Sequence, residues 1–155
     1  MSGLFTYPGQ EPSAAAAFLA HLHEDEVADV LAFTQVRRYQ PGEFAVRQGE
    51  QDSSLFIVAA GRFEILVSGP RGRQRAGLLN PGDIFGELAF FDGEPRSADI
   101  QALIAGEALV LTPVGFDRLR VARPRLALML TLDLGRVLSV RFRSHNRKLA
   151  ALGRL

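Results

Sequence analysis

The stretch LFIVAAGRFEILVSGPRGR, residues 55–73, contains two short β-prone runs, and glycine-containing turns follow both of them. The same pattern extends over residues 34–113. The other runs are FAV (44–46), DIFGEL (83–88), ADIQALI (98–104) and ALVLT (108–112), separated by the turn signals PGE, QGEQDSS, NPGD and FDGEP. Many short strands punctuated in this way are typical of a β sandwich, barrel or roll. We therefore predict a body that is mainly β.

Helical periodicity is present on both sides of this β body. Apolar residues recur at helical spacing over 13–33, which predicts one or two amphipathic helices. Residues 1–12 hold two prolines and two glycines without periodicity, so we expect a flexible arm. Residues 114–155 predict two further helices, a short one over 114–122 and a long one whose first residue is Pro124. We expect the 155 residues to form a single domain.

The composition argues against several classes of site and location. The chain has no cysteine, which rules out disulfides, thiolate metal sites and cysteine nucleophiles and permits a reducing compartment. His21 and His23 are two residues apart in a helical stretch and point to different faces, and His145 is far away, so we expect no metal site. The sequence has no long apolar segment and no basic leader, so we expect a cytoplasmic protein that does not enter a membrane.

The two parts of the chain carry opposite charge. Residues 118–155 contain nine arginines and one lysine against Asp133 alone, a net charge of +9, and the preceding residues sum to −8. The favoured interpretation is a solvated basic helix that complements its own acidic body. Two alternatives remain open: a non-specific nucleic-acid arm, and an interaction module that docks an acidic partner.

The densest chemical signal is the segment from Phe85 to Ile100. Glu87 follows a glycine at the end of one predicted strand, and a second turn delivers Arg96 and Ser97 at the start of the next. A carboxylate suits a sugar hydroxyl, a guanidinium offers a planar fork to a phosphate, and N–H groups in a tight turn from Gly86 to Phe90 suit an anion. These residue types predict a sugar-phosphate pocket. The alternative is that Glu87 and Arg96 merely pair with each other on the surface.

The run FGELAFFDGEPRSADIQA, residues 85–102, closely resembles the phosphate-binding cassette of the cyclic nucleotide-binding domain family. The likeness extends along most of the chain. It includes FLAHLHEDEVADVLAF (18–33), YQPGEFAVRQGEQDSSLFIVAAGRFEI (39–65), NPGDIFGE (80–87) and FDRLRVARPRLALMLTLDLGRVL (116–138). The resemblance implies an eight-stranded β roll of the jelly-roll type, with helices before it and two helices after it.

The resemblance also assigns roles to the cassette residues. Glu87 would bind the ribose 2′-hydroxyl, and Arg96 with Ser97 would hold the cyclic phosphate. Gly86 would let the backbone approach the ligand, and Leu88 with Ala89 would supply backbone contacts. Serine after the cassette arginine favours cAMP over cGMP as the ligand. No general base and metal pair accompanies the cassette, so we expect a binding domain and not an enzyme.

The long helix carries two further predictions. By the resemblance, its register brings Arg141 and Phe142 near the purine, where either side chain has a π or cationic face to cap the base. Phe142 also belongs to a heptad-like series that predicts a homodimer seam, Leu128, Gly135, Phe142 and Leu149. We expect the ligand to pull both carboxy-terminal helices toward the roll, where an effector protein would sense them. The sequence shows no helix-turn-helix, so we expect no specific DNA binding.

Overall fold

The computed structural model describes residues 22–153, in which eight strands form two antiparallel four-stranded sheets. The strand order is β1-β8-β3-β6 in one sheet and β2-β7-β4-β5 in the other. The strands are β1 Gln35–Tyr39, β2 Phe44–Val46, β3 Leu55–Ala60, β4 Phe63–Gly69, β5 Gly72–Leu79, β6 Ile84–Phe85, β7 Asp99–Ala102 and β8 Gly106–Leu111. This arrangement confirms the predicted β roll with flanking helices.

Four helices accompany the roll, and they are α1 Glu24–Ala32, α2 Glu87–Asp92, α3 Pro113–Ala122 and α4 Pro124–Ala151. A proline at the first turn of α3 and of α4 fits because that position needs no backbone N–H donor. The predicted arm over 1–12 and the first part of the predicted amino-terminal helices lie outside the described residues. Within 22–153, every helix is too short or too polar to cross a membrane.

Strand β3 separates two hydrophobic clusters. Its residues Leu55 and Ile57 pack with α1, α3 and α4, while Phe56 and Val58 pack inside the roll. All four side chains are buried, which explains why this strand is a continuous apolar run and does not alternate. The helices therefore pack directly on the strand whose other face lines the interior of the roll.

Strands β1 and β5 are absent from the β-prone runs of the sequence. Each is one of the two edge strands of its sheet, pairs on one side only and is mostly exposed. Their sequences, QVRRY and GRQRAGLL, are rich in arginine, as edge strands that must not pair with other molecules often are. Charged edges lack the apolar alternation that marks a half-buried strand, so the pattern of the sequence does not reveal them.

Candidate functional site

The cassette region begins with a short strand and a sharp change of direction. Strand β6 has only two residues, and Gly86 then adopts a left-handed conformation with φ of 80° and caps α2. The sequence predicts a tight turn from Gly86 to Phe90, whereas the structure has a helix of six residues there. Gly93 ends this helix, also in the left-handed region, and its N–H donates to the carbonyl of Ala89 at 2.8 Å.

Gly86 is in close contact with the arginine of the cassette. A Cβ atom at this position would lie 2.7 Å from Arg96 Nη1 and 2.7 Å from the carbonyl oxygen of Ser54. Both the positive φ and the lack of space therefore require glycine. The backbone at Gly86 can approach the arginine only because it carries no side chain.

Arg96 is the most buried cation of the site, and three hydrogen bonds fix its guanidinium. Its Nη1 donates to the Gly86 carbonyl at 3.0 Å, and its Nη2 donates to the Ser54 carbonyl at 2.8 Å and to Asp52 Oδ2 at 3.0 Å. Its Nε is buried and has no hydrogen-bond partner. A guanidinium has five N–H donors, so this one is held rigidly and still has donor capacity to offer.

Asp52 balances the charge of Arg96. Burial alone would raise the pKa of this carboxyl. The N–H and hydroxyl groups of Ser54 and the Arg96 guanidinium all donate to it and hold its pKa below the usual value. Asp52 therefore stays ionised and keeps Arg96 oriented at neutral pH.

Glu87 and Arg96 do not pair with each other, because each has a different partner. The partner of Glu87 is Arg141 of α4, whose Nη1 donates to Glu87 Oε1 at 2.6 Å. Arg141 Nη2 also donates to the carbonyl of Ile84 at 2.6 Å. The long helix thus reaches the cassette through one arginine, 54 positions from its carboxylate partner.

These groups surround a cavity of about 90 Å³. The apolar part of its wall comes from the inner faces of the roll, and the polar part comes from the cassette and α4. The lining residues are Val46, Ile65, Ile84, Phe85, Gly86, Glu87, Leu88, Ala89, Arg96, Ser97, Ala98, Ile100 and Arg141. All six residues that the sequence predicts for the ligand site therefore line one cavity.

Arg141 and Phe142, which the resemblance places near a purine base, have different positions relative to the cavity. Arg141 lines the cavity, but its guanidinium is bonded to Glu87 and Ile84. Phe142 is 66% exposed and lies outside the cavity lining, but it lines an adjoining surface groove together with Glu87 and Arg141. Over residues 22–153, no group of three histidine, aspartate or glutamate side chains is placed to hold a metal ion.

Asp52 is the site residue that sequence reasoning missed. It lies 44 positions before Arg96, within the turn signal QGEQDSS. An aspartate two residues before a serine is a common turn pattern, in which the carboxylate accepts from the serine N–H, as Asp52 does here. The pattern predicts the turn but gives no indication of which arginine the carboxylate also binds.

The chain is similar in sequence to known proteins. The cyclic nucleotide-binding domain profile matches residues 36–122. A cAMP-dependent protein kinase regulatory subunit from Mycosarcoma maydis is 36% identical over 77 residues, which cover 50% of this chain and 15% of the relative. A cGMP-dependent protein kinase from Caenorhabditis briggsae is 30% identical over 106 residues, which cover 66% of this chain and 14% of the relative.

Solved structures show the same fold. The crystal structure of the Thermus thermophilus catabolite activator protein superimposes with a TM-score of 0.77 and 28% identity, covering 88% of this chain and 62% of that one. The chain spans less than a fifth of the length of either kinase-related relative. Fold and cassette together define a small-molecule-binding regulatory β roll. The chain belongs to the cyclic nucleotide-binding domain family.

Proposed function

We propose that this chain is a cytoplasmic sensor domain that binds cAMP, and that its carboxy-terminal helices respond to the ligand. One observation carries the proposal. The Arg96 guanidinium is buried at the cavity wall, three hydrogen bonds orient it, and its Nε has no partner. Buried polar atoms are almost always paired, so an oriented donor without a partner suits an anionic ligand such as a cyclic phosphate.

The other cassette residues would bind different parts of the ligand. Glu87 is the carboxylate of the cavity and would accept from the ribose 2′-hydroxyl. Ser97 lines the same cavity and would add a hydroxyl donor to the phosphate. Leu88 and Ala89 belong to the first turn of α2, where backbone N–H groups have no partner within the helix and can face an anion beside Arg96.

The preference for cAMP over cGMP rests on the residue after the cassette arginine. Ser97 follows the cassette arginine, and the resemblance associates serine here with cAMP. The purine would lie against the apolar side of the cavity, near Val46 and Ile65. Arg141 is the α4 residue closest to a capping role, because Phe142 lies outside the cavity lining.

Isothermal titration with cAMP, cGMP and 5′-AMP tests this function directly. We expect low-micromolar binding of cAMP, several-fold weaker binding of cGMP and at least tenfold weaker binding of 5′-AMP, whose open phosphate has another shape and charge. Stronger binding of cGMP would overturn the base preference alone. An absence of heat with all three nucleotides would overturn the sensor function and favour an interaction module of the same fold.

We also propose that α4 joins two copies of the chain. The series predicted from the sequence lies on one outward stripe, where Leu128 is 59% exposed and Phe142 is 66% exposed. Gly135 lies between them with open space around it, and Leu132 adds a further exposed apolar side chain. A heptad stripe of this kind is self-complementary, so a second copy of the same helix covers it.

Leu132→Glu is expected to convert a dimer into a monomer, because it places a charge at the centre of this stripe. Sedimentation velocity measures the change. Val121→Glu is the matched control, since Val121 is 78% exposed on α3, outside the stripe, and its substitution should leave the mass unchanged. If both variants and the wild type are monomers, the seam does not exist.

Part of the positive charge of the basic segment is engaged with the acidic body. Arg123 forms an ion pair with Asp29 of α1, and Arg141 forms one with Glu87. These two of the nine arginines in residues 118–155 pair with carboxylates of the acidic body, which supports the favoured interpretation of the charge asymmetry. Retention on DNA that falls steeply with salt would be the result in favour of the alternative.

A further inference from the structure

The outer face of the second sheet, which contains β2, β7, β4 and β5, carries a polar cluster away from the cavity. Strand pairing sets Asp99 of β7 beside Leu66 of β4, and Leu66 beside Arg75 of β5. Because side chains alternate along a strand, Ser68 and Arg73 point to the same face as these residues. Within residues 22–153, the hydrophobic cluster that contains the helices includes strand residues of the first sheet alone. The helices of the described chain thus pack on the other sheet.

Asp99 is the centre of this cluster. Its carboxylate is buried and accepts hydrogen bonds from the Gln48 N–H at 2.7 Å and from Arg73 Nη2 at 2.7 Å. Arg47 Nε lies 3.5 Å from the same carboxylate. A buried charge requires an ion-pair partner, and Arg73 together with the backbone donor already meets this requirement. Arg47 is therefore a second cation beside a carboxylate that is already paired, so the two arginines and Asp99 carry a net positive charge.

Phe44 holds both guanidinium groups in place. The Cζ atom of Arg47 lies 4.0 Å from the centre of the Phe44 ring, and the Cζ atom of Arg73 lies 5.4 Å from it. A guanidinium over an aromatic face keeps its in-plane N–H donors available for two parallel hydrogen bonds to a carboxylate. Among the described residues, the Nη groups of Arg47 and the Nη1 group of Arg73 have no hydrogen-bond partner. Both arginines are thus oriented and still have free donors.

The cluster lines a concavity of about 500 Å³ on the surface. Its lining residues are Arg47, Gln48, Gly49, Ser68, Arg73 and Asp99. None of these six residues lines the cavity of the cassette, and none belongs to α4. A partner that binds in the concavity therefore leaves the cavity and the outward stripe of α4 accessible.

The chemistry of the concavity suits carboxylates on a protein chain. Both arginines are about half exposed, and a single exposed ion pair contributes little to binding. A segment with several acidic side chains gains more, because the first contact raises the effective concentration of the next carboxylate at the second arginine. A short segment meets the positive concavity alone. A nucleic acid would extend over the acidic body, whose net charge of −8 repels it.

We propose that Arg47 and Arg73 form a docking site for an acidic segment of a partner protein. Each guanidinium binds one side-chain carboxylate of that segment with the N–H donors that Asp99 leaves free. Asp99 and Phe44 are positioning residues, because the carboxylate orients Arg73 and the ring orients Arg47. The site is separate from the cassette and from the basic helix α4, and it does not depend on nucleotide binding.

Titration with blocked hexaglutamate, followed by amide chemical shifts, tests the site. The Gln48 amide is bonded to Asp99 and the Ser68 amide is bonded to the Gln48 side chain, so both report on the cluster. We expect saturable shifts at these two amides, and none with blocked hexaglutamine. Shifts confined to residues 118–153, or no shifts at all, would overturn the proposal. A stronger response of the two amides to inorganic phosphate or to a short DNA duplex would also overturn it, since the ligand would then be a free anion or a nucleic acid.

Arg47→Gln removes the second cation, with Arg38→Gln as the matched control. Arg47 is half exposed and 3.5 Å from Asp99, so the variant should keep the amide shifts of the first sheet. It should weaken hexaglutamate binding about fivefold, measured from the shifts at Ser68. Arg38 is also an exposed arginine paired with a carboxylate, that of Glu107, but it lies on the first sheet, and its variant should stay within twofold. Unchanged binding by Arg47→Gln, or an equal loss in both variants, would overturn the proposal.

Discussion

Arg96→Lys is expected to weaken cAMP binding by at least about a hundredfold, because it removes about two charged hydrogen bonds to the phosphate at roughly 1.5 to 3 kcal/mol each. Lysine keeps the positive charge but lacks the planar fork. Its ammonium cannot bond the carbonyls of Gly86 and Ser54 and the carboxylate of Asp52 in the geometry that the guanidinium uses. Calorimetric titration with cAMP measures the loss.

The same substitution is expected to reduce stability. Arg96 satisfies two backbone carbonyls, and leaving one of them without a donor costs about 2 kcal/mol, or roughly 4 to 8 °C in melting temperature. Arg73→Lys is the control. Arg73 also pairs with a carboxylate, that of Asp99, but it is partly exposed and does not line the cavity. If Arg96→Lys binds cAMP within threefold of the wild type, Arg96 is not the phosphate ligand.

Gly86→Ala is expected to reduce the free energy of unfolding by about 2 to 4 kcal/mol. About 1 to 2 kcal/mol comes from the left-handed backbone, and the rest comes from overpacking against the Ser54 carbonyl and Arg96. Urea unfolding measures the change. Because the new methyl group pushes on Nη1, Arg96 must shift, and cAMP binding should fall by more than tenfold as well.

Gly93→Ala separates these two effects. Gly93 has nearly the same backbone conformation, with φ of 70°, but nothing lies within 4 Å of a Cβ built on it. It should therefore lose only about 1 to 2 kcal/mol of stability from the backbone and keep its affinity for cAMP. Equal losses of affinity in the two variants would show that the close contact between Gly86 and Arg96 has no role in binding.

The sequence predicts those parts of the fold whose buried residues form an apolar pattern. The run LFIVAA predicts a strand, which is β3, and Pro124 marks the start of α4 as observed. The short helix predicted over 114–122 begins one residue earlier, at Pro113. Strands β1 and β5 escape detection because an edge strand with arginines on its exposed positions has no apolar period. The resemblance supplies the count of eight strands that the runs alone do not.

The site is predictable within the cassette and not beyond it. Gly86, Glu87, Arg96 and Ser97 lie within one segment, so their proximity follows from two adjacent turns. The partners of the two charged residues come from distant parts of the chain, Asp52 for Arg96 and Arg141 for Glu87. Ion pairs between remote segments depend on how sheets and helices pack. Local residue spacing does not predict that packing.

The double burial of β3 also has a consequence for handling the protein. The segment LFIVAA has no charge and no proline, is rich in β-formers and is hidden on both faces in the fold. Short segments of this composition assemble into intermolecular sheets once a chain exposes them. In a heated sample, refolding therefore competes with aggregation through this hexapeptide. The loss of native protein is then governed by the unfolding rate. Equilibrium stabilities of variants are for this reason best compared in urea at low protein concentration.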